Sequence, residues 1–80
     1  MSNVHEYATT DLYLAAYLQA AGAALLRTDK AGNGPIHFVL DASVANIPEL
    51  KNAYYNSSGR VAAIQYANNI KNLKHLCHIP

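Results

Sequence analysis

The residues of this chain best equipped for chemistry lie at its end. His75, Cys77 and His78 are types that bind zinc, the imidazoles as nitrogen donors and the thiolate as a soft one. At about 100° of rotation per helical residue, His75 and His78 fall together on a polar arc, whereas Cys77 turns toward an apolar one. Three ligands do not converge. A tetrahedral site needs three or four, and His5 and His37 come without ligand spacing. No metal site is predicted, and Cys77 reads as a small core residue.

Gly32-Asn33-Gly34 could cradle an anion on its amides. Phosphate loops, however, run from a strand into a helix N-terminus. This one joins two predicted strands and is followed by Pro35, which has no amide. It reads as a hairpin turn. Ser43, Ser57 and Ser58 fall in predicted loops with no histidine placed beside them, so no nucleophile, base and orienting acid are assembled locally. The expectation is a protein with no catalytic residues and no cofactor.

What remains is recognition. Lys51, Tyr55, Arg60, Asn68, Lys71, Asn72, Lys74, His75 and His78 place cations, amides and one aromatic ring along the C-terminal half. Such a set can meet phosphates and base edges, or equally an acidic protein. Formal charge is only +1, and neither a helix-turn-helix nor an RNA-recognition signature is evident, so nucleic-acid binding is the alternative reading. The charges are segregated: all five carboxylates lie at or before Glu49, and every formal charge after it is positive. That split suits an anionic partner, or a second copy whose acidic half meets the basic one.

Eighty residues make one domain, which buries only about 60–65% of the surface its unfolded chain exposes, so oligomerisation would help to stabilise it. A lone cysteine forms no internal disulfide and fits a reducing compartment. The opening residues Met1 to Glu6 carry no basic leader or apolar run, and the apolar stretch from Leu12 is broken by Gln19 and Gly22 well short of a bilayer's span. The chain is expected to be soluble and cytoplasmic, without a membrane segment.

The elements that position these residues read as an α+β domain over 9–80, behind a flexible leader over 1–8, in the order α-β-β-α-α. Thr9, Thr10 and Asp11 offer N-caps to a helix that Gly22 ends. Leu12, Tyr13, Leu14, Tyr17 and Leu18 surround that helix, which must therefore be central to the fold or covered by another molecule. Dimerisation through Tyr13, Leu14 and Tyr17, or through a hairpin edge, is the expectation. Segments 24–29 and 35–41 form a two-stranded antiparallel hairpin packed on helices, with Ile36, Phe38 and Leu40 facing the core. A bare hairpin is marginal, so it must lie on helices or extend through another chain. Asn46 caps a short helix with Pro48 in its first turn, and Ile47, Leu50 and Tyr54 share one face. A longer helix is predicted from Arg60 to about Cys77. Its apolar arc holds Ala63, Tyr66, Ala67, Ile70, Leu73, Leu76 and Cys77, with Asn69 set within it and needing a hydrogen-bond partner.

The run Thr9-Thr10-Asp11-Leu12-Tyr13-Leu14-Ala15-Ala16-Tyr17-Leu18, a following glycine, a hairpin closing in Phe38-Val39-Leu40-Asp41, then Glu49-Leu50 and Tyr54-Tyr55-Asn56, resembles a small domain family of unknown function. Its members stand alone at about this size in bacterial and phage genomes, and the likeness spans residues 9 to about 77. Where the family has Asn-Gly after its paired aromatics, this chain has Asn56-Ser57-Ser58-Gly59. The resemblance implies an α+β fold and a mobile-element setting, and supplies no catalytic residues. The functional expectation is a non-enzymatic accessory protein acting by protein–protein interaction in the cytoplasm, the host's if it is phage-encoded.

Overall fold

The computed structural model describes residues 5–30, 32–43, 46–57 and 59–77. His78 lies outside them. In chain order the elements are β1 (Glu6–Thr9), α1 (Leu12–Ala20), β2 (Leu25–Asp29), β3 (His37–Asp41), α2 (Ile47–Tyr55) and α3 (Ala63–Cys77). The α+β class stands, but the order is β-α-β-β-α-α. The predicted hairpin, β2 with β3, is two-thirds of a three-stranded antiparallel sheet ordered β1-β3-β2. The third strand comes from the segment read as a leader. Glu6-Tyr7-Ala8-Thr9 is too short to show a period, and it becomes a strand only by pairing with β3 some thirty residues later, from Glu6 opposite Asp41 to Thr9 opposite Phe38. The sheet is thus extended within one chain.

Asp11 caps α1, its carboxylate accepting from the amides of Tyr13 and Leu14 at 3.1 Å each. The Asp11 amide in turn donates to Thr9 Oγ1, which ties the end of β1 to the start of the helix. At the other end Gly22, at φ +116°, lets its amide reach Gln19 O and the Ala23 amide reach Leu18 O, satisfying carbonyls the last turn leaves over. Between these caps, Leu14, Ala15, Ala16, Tyr17 and Leu18 are all buried. The apolar girdle has its explanation here: β1, β3, α2 and α3 all pack on α1. No second molecule is needed to cover it.

Phe38 and Leu40 face the helices, and Ile36 packs half-buried against the same core. Val39, on the opposite face of the sheet, is nevertheless only 3% exposed. Register explains why. Arg27 of β2 sits opposite Val39, and its guanidinium makes a two-pronged ion pair with Glu6 of β1 at 2.9 Å, crossing the central strand on the face Val39 occupies.

Asn46 caps α2 by accepting from the Glu49 amide at 3.2 Å. Ile47 is buried, and Leu50 and Tyr54 pack against the core. The Tyr54 ring lies 5.4 Å from that of Tyr17. The last helix begins at Ala63, not at Arg60, with Tyr66, Ile70, Leu73 and Cys77 turned inward and Ala63, Ala67 and Leu76 exposed. Asn69 finds its partner: Nδ2 donates to Ala16 O of α1 at 3.2 Å, fixing the register of the two helices.

Candidate functional site

An open groove of about 470 Å³ lies between β1 and α2. Its α2 wall is Ile47, Pro48, Lys51, Asn52 and Tyr55, whose spacing of three and four residues puts them on one helical face. Its other wall is His5, Glu6 and Tyr7, with Ala42 just past β3. A volume of this size suits a small ligand or a few residues of a peptide.

The β1 wall is a sheet edge. Because the Ala42 amide donates to His5 O at 2.8 Å, the antiparallel alternation aims the hydrogen-bonding groups of Tyr7 and Thr9 at β3, and those of Glu6 and Ala8 outward along the strand's free side. Across the groove Lys51 Nζ stands 5.2 Å from the Tyr7 ring centroid. Hydrogen bonding with Tyr7 holds the ammonium above its ordinary lysine range, so it is charged at neutral pH. Glu6 does not neutralise it. Its carboxylate is hydrogen-bonded to Arg27, which holds it below the usual glutamate range. Asp41 is likewise held low, by hydrogen bonds from the side chain and amide of Ser43. Tyr55, 61% exposed, stands at the rim with its ring edge-on to Tyr54 at 5.2 Å.

The residues expected to recognise a partner divide. Lys51 and Tyr55 come together in the groove. Asn68, Lys71, Asn72, Lys74 and His75 lie exposed on α3, and Arg60 precedes it, also exposed. Lys74 is drawn to α1, its Nζ 5.7 Å from the Tyr13 ring centroid. The association residues require correction. Leu14 and Tyr17 are 1% and 6% exposed, already spent inside the monomer, and of the three only Tyr13, at 46%, can touch a second molecule. Cys77 is half-buried against the core while His75 is exposed, and among the described residues no group of three or more His, Cys, Asp or Glu is gathered to hold a metal ion.

Sequence reasoning missed His5, Glu6, Tyr7, Ala42, Ile47, Pro48 and Asn52 as groove residues. A signal for part of the set was present: Ile47, Lys51 and Tyr55 recur every four residues along α2. The β1 wall depended on a strand that local pattern did not reveal.

A small three-stranded sheet covered by helices, with a half-open groove at its edge, defines a compact α+β domain. The chain belongs to DUF5659, a domain of unknown function whose family model matches residues 4–78. No curated protein and no solved structure matches it. No helix among the described residues is long and apolar enough to cross a membrane.

Proposed function

We propose that this protein is a non-enzymatic binding module that works by protein–protein contact, presenting the β1–α2 groove to its partner in the cytoplasm of a bacterium or phage host. The observation that carries this reading is the juxtaposition of a free strand edge with a cationic and aromatic helix face. Edge amides offer main-chain hydrogen bonds, while Lys51 and Tyr55 offer side-chain selectivity. Enzymatic chemistry would need convergent acid, base and nucleophile, whereas the groove's carboxylate, Glu6, is committed to Arg27.

The test is site-specific photo-crosslinking in producing cells, with benzoylphenylalanine placed at Tyr55 in one variant and at Asn68 on α3 in another. A nuclease-resistant adduct of defined mass at position 55, lost when Lys51→Glu is added, is the expected result. Adducts only at position 68 that nuclease removes would replace this reading with the nucleic-acid one. That alternative has in its favour the exposed arc of Asn68, Lys71, Asn72 and His75, and it predicts affinity falling steeply with salt.

A further inference from the structure

We propose that the groove takes an extended acidic segment of another protein, which adds as a fourth strand along the free edge of β1 and sets a carboxylate against Lys51; this rests on the groove being the contact surface. Among the described residues the sheet has two free edges, and they are not equivalent. On β2 the register shifts between Leu25 and Arg27, leaving Leu26 as a bulge, and Arg27 and Asp29 add charge on that strand. Bulges and charges blunt an edge against pairing. On β1 the register runs without a shift through all four residues, and the outward groups of Glu6 and Ala8 are placed for main-chain bonds to a new strand.

Charge selects the occupant. Both ion pairs among the described residues belong to Arg27, so the Lys51 ammonium has no carboxylate within ion-pairing distance. Glu6 lies opposite Asp41 on the outer face of the sheet, whereas Tyr7, beneath Lys51, lies opposite Leu40 on the inner face. A second copy pairing through its own β1 would bring Tyr7 and Thr9 to that inner face, and neither is acidic. A partner strand with a carboxylate pointing inward supplies what a second copy lacks. Spacing fits as well. Where the added strand runs along α2, the rise of about 6 Å from Lys51 to Tyr55 is close to the roughly 7 Å between alternate side chains of a strand, and the buried Ile47 forms an apolar floor one turn the other way. The matching segment therefore has an acidic residue flanked two positions away on either side by apolar ones.

The probe is the end-capped heptapeptide Thr-Val-Thr-Glu-Thr-Val-Thr, titrated into isotope-labelled protein and followed by heteronuclear NMR. The expected result is saturable shifts at residues 5–8 and 47–55, with the glutamine analogue about tenfold weaker and Lys51→Gln erasing that difference. Peptides N-methylated at alternate amides should separate into one set that binds and one that does not, a signature of strand pairing that needs no change to the protein. Equal affinities for the glutamate, glutamine and lysine peptides, shifts confined to α3, or an edge already occupied by a second copy would overturn the proposal. If an adduct still forms at position 55 while the peptides bind without regard to charge, the acidic-strand inference alone fails. If no adduct forms there, the groove itself is not the contact surface.

Discussion

Replacing Gly59 by alanine should destabilise the fold through one contact. Gly59 follows α2, its amide donating to Ala53 O at 3.0 Å, and a methyl group on it would be driven into the hydroxyl oxygen and ring of Tyr17. Tyr17 has little room to retreat, since it is buried in α1 and its ring packs on Tyr54. Overpacking of this kind costs about 1–3 kcal/mol. Restricting the unfolded chain offsets about 0.4–1 kcal/mol of it, leaving a net loss of roughly 1–2 kcal/mol. For a domain of this size that corresponds to a fall in Tm of about 5–15 °C. Urea unfolding of wild type, Gly59→Ala, Tyr17→Phe and the double variant forms a cycle in which Tyr17→Phe removes the first atom the methyl strikes. The coupling should be about 1 kcal/mol or more and favourable in the double variant, with relief only partial because the ring remains. A Gly59→Ala protein as stable as wild type, or a cycle additive to within about 0.5 kcal/mol, would refute the close approach.

Leu14→Ala should cost about 2–5 kcal/mol as a core cavity, while Tyr13→Ala, at a half-exposed ring that holds Lys74, should cost about 1 kcal/mol or less; calorimetry on the pair checks which face of α1 is inside. Asp11→Ala removes both cap bonds of α1 and should cost about 1 kcal/mol in denaturant unfolding. Glu6 and Asp41 have folded-state pKa values below their ordinary ones, so each contributes stability above the unfolded-state pKa of about 4 that is lost as pH falls through the folded value. Tm measured from pH 6 to pH 2 should decline across that window, and Glu6→Gln should flatten the decline; an unchanged slope would mean that the Arg27 pair is spent in solvent screening.

Local chemistry in the sequence foretold the helix caps. Asp11 and Asn46 are side-chain acceptors whose partners lie two or three residues on, and Gly22 is needed where the chain turns left-handed, so those boundaries were legible. The inward set of α3 was partly so: Tyr66, Ile70, Leu73 and Cys77 follow the helical period, and the need of Asn69 for a partner was met by Ala16 O. What stayed hidden depends on pairing between distant segments. Glu6–Thr9 is a strand because β3 stands beside it, and Val39 is buried because Arg27 reaches over it to Glu6. Neither fact is written within a few residues of its site. The girdle of α1 signalled burial on all sides but could not say whether the cover came from this chain or a second one. The groove inherited the same blindness, with its α2 wall periodic in the sequence and its β1 wall read as a leader.

The most direct measurement is amide hydrogen exchange across β1 as a function of protein concentration. With the edge of β1 open to a partner, Tyr7 and Thr9 amides are protected by β3 while Glu6 and Ala8 exchange fast, and this alternation is the same at micromolar and millimolar protein. Protection of Glu6 and Ala8 that grows with concentration would show a second copy already paired along the edge, and the groove would not be the site where another protein adds its strand.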